Sequence, residues 1–302
     1  MSVLWWAFSL CTATPWHRSL PNAKFFYYYD KVSHPPGLLP IPPDRAMLDI
    51  AAKERPDLML FDGIADGARM PQPSTLRALR SIAPLVLLSG DLSDPPWWPY
   101  LETFKDERCF DVMVNFDGNP SWPKPERSLD LLTPIAHEFY PMPLKPLAQR
   151  IIQFGFAGGC ASPSRWEIIG YLVDHAGLKI MPRDETYGSY GRFARYMMEC
   201  QLTVNVPISG SDNSRQCKGR VLEAGLAGTC LLEHESSAAQ FWFEAGRDYV
   251  VYRTREEAAE LSRELLADVP RMEAIAQRLQ RKVRENHSPA IFWQRIFEAV
   301  GK

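Results

Sequence analysis

The chain of 302 residues lacks any surplus of positive charge: 34 Lys and Arg against 36 Asp and Glu leave a formal net charge of -2. Nucleic-acid binders gather basic residues on one domain, so this balance argues against a nucleic-acid partner. No stretch approaches the roughly 20 apolar residues that span a bilayer. The apolar start, MSVLWWAFSL, lacks the basic residues that open a secretory signal and reads as a buried first strand. The six cysteines (Cys11, Cys109, Cys160, Cys200, Cys217, Cys230) form no CxxC pair, and the six histidines form no HExxH. Neither a disulfide framework nor a metal site is therefore expected, and a cytoplasmic location follows most simply. The dinucleotide fingerprint GxGxxG is missing too.

What is present is an alternation of short apolar runs with helix-like segments, the pattern of an α/β protein with parallel sheets covered by helices. In the first half the strands fall at Val3–Phe8, Lys24–Tyr29, Leu58–Phe61, Leu85–Leu88 and Val112–Asn115. Helices are expected over Arg45–Glu54, stopping before Pro56, and over Thr75–Ala83 with Ser74 as cap. Much of the proline, 26 residues in all, sits in this half in long loops such as Ser33–Pro43. Long loops over a rigid sheet often carry specificity.

A proline-rich stretch, LLTPIAHEFYPMPLKP, marks a change of domain. The expected domains are residues 1–140 and 141–302, the last helix packing back on the first. The second series opens with the strand Ile151–Phe156 and a small-residue turn through Gly158 and Gly159. A helix follows, begun by Ser162 with Pro163 or by a Ser164/Glu167 capping box and ended at Gly177. Trp166, Ile169, Gly170 and Val173 share one face of it. Further strands are expected at Leu178–Met181, Thr203–Pro207, Thr229–Leu232 and Tyr249–Tyr252, and a short helix at Val221–Ala227 stopped by Gly228. Three helices close the chain: Glu256–Ala267, Arg271–Glu285 and Ala290–Val300.

The stretch QCKGRVLEAGLAGTCLLEHESS, residues 216–237, carries the chemistry. Lys218 and Arg220 stand at a helix start, where two cations and free backbone N–H groups can face one anion. Glu223, on the first turn, can accept hydrogen bonds from a ribose diol, and the small residues Ala224, Gly225, Ala227 and Gly228 allow close approach to the backbone. The plain alternative is a solvated basic pair and a glutamate favoured by the helix dipole. Gly158 and Gly159 can cradle a phosphate at a strand's carboxyl end, or simply turn the chain tightly.

The second half resembles the bacterial group-1-type glycosyltransferases, including the CgeB-like branch. The likeness runs in order through FGFAGGCASPSRWEIIGYL, LTVNVPI with Asn205, KGRVLEAGLAGTCLLEHES, FWFEAGRDYVVYRTREEAAELSRELL, IAQRLQRKVRENHS and FWQRIFEA. The first half resembles the family more loosely, through DLMLFDG and LVLLSGDLSDP. The resemblance implies a GT-B fold, two Rossmann-like domains facing each other across a cleft. It implies transfer of a sugar from a UDP- or GDP-linked donor to a glycan, lipid or small-molecule acceptor, with no cofactor and no bound metal. Lys218 and Arg220 would meet the diphosphate and Glu223 the ribose. Peripheral contact with a membrane stays compatible with it.

One departure bears on mechanism. Many retaining relatives carry two glutamates separated by seven residues; the second matches Glu223, but the first position holds Arg215. Glu233 and Glu235, flanking His234, are the candidates for the group facing the sugar, Glu235 being the catalytic choice. For an inverting reaction the acceptor base would be Asp91, ahead of His34 and Asp62, because GDLSDP follows a strand. The aromatic residues Trp5, Trp6 and Tyr27–Tyr29 read chiefly as core, whereas Trp97 and Trp98 suit a sugar acceptor. Two alternatives to a transferase are a GT-B protein that binds without catalysis, suggested by Arg215, and a nucleotide-sugar epimerase.

Overall fold

Four apolar runs shape the first unit, residues 1–131 with 292–302. VLWWA, LMLFD, LVLLS and VMVN become β1 (Val3–Ala7), β3 (Leu58–Asp62), β4 (Leu85–Ser89) and β5 (Val112–Asn115), each buried along its whole length. Strands hidden on both faces are the mark of a parallel sheet clothed by helices. β2 (Ala23–Tyr27) and β6 (Ser128–Asp130) are less buried and form the edges, in the order β2-β1-β3-β4-β5-β6. The computed structural model describes residues 1–7, 18–27, 39, 43–62, 71–90, 108–121, 127–159, 162–181, 190–207 and 215–301.

One face of this sheet packs on α1 (Asp44–Glu54) and α2 (Pro73–Ile82) through Met47, Ala51, Leu76 and Leu79. The other packs on α8 (Pro289–Ala299), whose Trp293 meets the Trp5 ring edge-on at 5.3 Å. Trp5 and Trp6 are fully buried core residues. α1 stops where Arg55 adopts a left-handed conformation before Pro56. Ser74 does not cap α2; Pro73 already occupies its first turn and Gln72 is the cap position. A three-residue polar segment such as β6 has no apolar run to announce it, and it escapes a sequence reading.

The second unit, residues 132–291, holds β7 (Ile152–Phe156), α3 (Pro163–Ala176), β8 (Lys179–Ile180), α4 (Tyr190–Glu199), β9 (Cys200–Asn205), α5 (Gly219–Ala227), β10 (Cys230–His234), β11 (Val250–Tyr252), α6 (Arg255–Ala267) and α7 (Val269–Asn286). Its sheet runs β11-β10-β9-β7-β8, and all strand pairings among the described residues are parallel. Both sheets therefore wind alike. The first strand pairs with the second on one side and the third on the other, so the order reverses between β1 and β3 and between β7 and β9. Such sheets bind ligands outside their carboxyl ends at this reversal.

Local details depart from the sequence expectation. α3 begins at Ser162–Pro163, and Gly177 closes it with φ of 66°. Its buried residues are Ile169 and Leu172, whereas Trp166 is 51% exposed and Val173 38%. Trp166 lies against Gly170 on the outer side, so the proposed common face is split. α5 begins at Gly219, which puts Glu223 on its second turn instead of its first. The small residues of α5 serve packing: a Cβ on Gly225 would lie 2.6 Å from Val283 of α7.

At the amino-terminal edge of this sheet one guanidinium ties four segments. Buried Arg150 donates to the carbonyls of Lys145, Cys200 and Ala227 and to Thr229 Oγ1, all at 2.9–3.1 Å. Burial brings its pKa down to about 10. Arg150→Ala strands these buried acceptors and is expected to destabilise the protein by about 3 kcal/mol or more. Urea unfolding measures this; a change under about 1 kcal/mol would contradict it.

Candidate functional site

Three elements meet around one side chain. β7 ends at Phe156 and turns through Gly158 and Gly159; β9 ends at Asn205; α5 opens with Lys218 at its cap position. Arg220, in the first turn of α5, has only 14% of its side chain exposed. Its guanidinium lies 5.0 Å from the Phe156 ring centre and 5.5 Å from that of Phe193. A Cβ on Gly158 would stand 2.8 Å from Arg220 Nη2, and the φ of 156° at this turn favours glycine. Arg220 Nε and Nη1 are buried without a hydrogen-bond partner.

Two buried carboxyl groups stand near this cation. Glu223 Oε2 is 3.8 Å from Arg220 Nε, and Glu223 Oε1 accepts a 2.9 Å hydrogen bond from the Tyr190 hydroxyl. The Tyr140 hydroxyl lies 3.0 Å from that of Tyr190. Burial raises the Glu223 pKa, with Arg220 and Tyr190 pulling it back. Glu233 sits beside Asn205 in the paired strands, and Asn205 Nδ2 donates to both its oxygens at 2.9 and 3.0 Å. Burial pushes Glu233 up to about 8, against the opposing pull of Ser237, Asn205 and Arg220. Ser237 Oγ also donates to the Gln216 carbonyl at 3.2 Å, and buried Gln216 keeps an Nε2 without a partner.

Gly158, Asn205, Arg220 and Glu223 thus come together at the carboxyl edge of the second sheet, with Lys218 at the adjoining helix start. Gly159 uses its carbonyl to accept from Arg165 at 2.9 Å. Glu235 does not join them: its side chain is half exposed and pairs with Arg253 at 3.1 Å. Glu233 is the carboxyl at the cluster because it lies inside β10 beside Asn205, whereas Glu235 follows the end of that strand at His234. Arg215 is exposed. In the first unit, buried Asp62 accepts from Trp5 Nε1 at 2.7 Å. Asp91, His34, Trp97 and Trp98 lie outside the described residues. Tyr140, Tyr190 and Gln216 escape a sequence reading, since their hydrogen-bond partners are far along the chain. Among the described residues no group of three His, Cys, Asp or Glu has metal-binding geometry, and no helix is long and apolar enough to cross a membrane.

This arrangement can hold an anion at Lys218 and Arg220 and a hydroxyl-bearing group near Glu223. A family described as glycosyl transferase-like matches residues 144–298, more than half of the chain. The chain belongs to this family. Comparison with curated proteins finds no significant match. Among solved structures, the chain is similar to Anabaena HepE in complex with UDP and glucose, at 13% identity and a TM-score of 0.68, covering 99% of this chain and 98% of that one. It is also similar to an alpha-glucosyltransferase in complex with UDP-glucose and DNA containing an abasic site, at 10% identity and a TM-score of 0.66, covering all of both chains. A glycosyltransferase from Rickettsia africae gives 9% identity and a TM-score of 0.63 over 98% and 97%. At such identities the likeness is one of fold, and that fold is GT-B, built from two Rossmann-like α/β domains.

The buried glutamates give this glycosyltransferase-like protein a pH signature. With a folded pKa of about 8 against an ordinary 4.5, Glu233 binds a proton that the unfolded chain releases. Stability from this group is full below pH 4.5 and falls as pH rises through 8. Melting temperature followed across that range should show the fall, and Glu233→Gln should flatten it. An unchanged slope in the variant would contradict the assignment.

Proposed function

We propose that the protein transfers a hexosyl group from a UDP-sugar to a glycan, lipid or small-molecule acceptor. The observation that carries the reading is Arg220, a buried guanidinium with unpartnered donors at the start of α5. Burying a cation without hydrogen-bond partners is costly, and a diphosphate would supply both charge and acceptors. Lys218 and the first N–H groups of α5 face the same direction of chemistry. Glu223, pinned by Tyr190, suits the ribose diol. The reading gains support from the family membership and from the UDP-bound relatives of like fold.

The order of motifs along the second half favours the CgeB-like branch. We propose that the leaving diphosphate is neutralised by Arg220, Lys218 and the helix start without a resident metal, and that the protein works in the cytoplasm. The near balance of acidic and basic residues speaks for an acceptor other than nucleic acid. Exposed Arg215 and solvent-paired Glu235 favour a second reading, nucleotide binding without transfer.

Isothermal titration with UDP, GDP and their sugars tests the donor site. Arg220→Met should weaken UDP by about 2–4 kcal/mol, roughly 30- to 1000-fold. Lys218→Ala should weaken it about tenfold. No nucleotide binding at millimolar concentration would sink the reading, and turnover of a bound UDP-sugar would rule out the second one.

A further inference from the structure

Gln216 poses a problem that the diphosphate and ribose contacts leave unsolved. Its residue is 1% exposed, and its Nε2 has no hydrogen-bond partner. Buried polar side chains nearly always find a partner, because a stranded donor costs stability. The groups around it are satisfied. Its own carbonyl accepts from Ser237 Oγ, Ser237 reaches Glu233, and both Glu233 oxygens are held by Asn205. A hydrogen-bonded floor therefore carries an amide NH2 still unspent.

Its place along the chain says what acceptor it would meet. Glu223, Arg220, Lys218 and Gln216 follow one another backwards along α5 and out past its start. A nucleotide-sugar has the order ribose, diphosphate, sugar. With Glu223 at the ribose and Arg220 and Lys218 at the diphosphate, Gln216 stands on the side where the sugar begins. We propose that Gln216 is a specificity-determining contact for the donor sugar, its Nε2 donating to a hydroxyl oxygen of the hexosyl group. This inference rests on the UDP-sugar reading above. A buried donor of this kind discriminates well, since a sugar that offers no acceptor leaves it stranded.

Gln216→Met keeps length and bulk and removes the donor, with Gln216→Leu as a second apolar substitute. The full chain is titrated with UDP and with UDP-glucose, UDP-galactose and UDP-N-acetylglucosamine, and the tightest sugar donor is carried forward. The variants are expected to bind UDP within about twofold of the parent and that UDP-sugar about three- to tenfold more weakly. Their melting temperature without ligand is expected to rise by roughly 2 °C, because the stranded donor is gone. An unchanged ratio of UDP-sugar to UDP affinity overturns the inference, whether both affinities hold or both fall. So does the failure of both variants to fold, which would make Gln216 a structural residue. A parent chain that binds no UDP fails the underlying reading, and the inference with it; UDP binding with an unchanged ratio fails the inference alone.

Discussion

A guanidinium buried between two phenyl rings is the constraint around which the second unit is arranged. Arg220 lies close over Gly158, which has no side chain, and against the rings of Phe156 and Phe193. Each of these residues comes from a different element: the end of β7, the turn after it, and α4. A buried cation needs opposite charge nearby; Glu223 stands 3.8 Å from Arg220 Nε, while burial raises the pKa of both Glu223 and Glu233. Arg220 is thus paired in charge without being satisfied in hydrogen bonds, since its Nε and Nη1 have no acceptor.

Rigidity comes from beneath. α5 lies against α7 closely enough that Gly225 has no room for a methyl group beside Val283. Its far end stops at Gly228, next to the carbonyl of Ala227 that Arg150 holds. The helix that presents Lys218 and Arg220 is therefore anchored at its carboxyl end and along its inner face. Its start is left at the carboxyl edge of the sheet, beside the reversal between β7 and β9. The same winding in both units places the ends of β1 and β3 at the corresponding edge of the first sheet.

Much of this was legible in the residues. Apolar runs such as LMLFD and LVLLS announce buried parallel strands because they offer no polar face. Gly177 and Gly228 announce helix ends because glycine takes the left-handed conformation at little cost. Lys218, Arg220 and Glu223 could be singled out because they fall within six positions beside a helix start. The role of α5's small residues was misread, since spacing alone does not tell a ligand from a packed helix. The split face of α3 was misread for a similar reason: Trp166 and Val173 are apolar yet lie outside.

The sequence by itself determined the α/β class, the alternation of elements and the segment that carries the cations, because these depend on local apolar pattern and on residues close along the chain. Only the tertiary structure decided which carboxyl groups share the site. Glu233 and Glu235 are two positions apart and look equivalent on the page. Strand pairing sends one to Asn205 in the interior and leaves the other with Arg253 in solvent. Tyr190 finds Glu223 across 33 positions, and the Nε2 of Gln216 is left without a partner. Such facts arise from packing between distant segments, which no local pattern records.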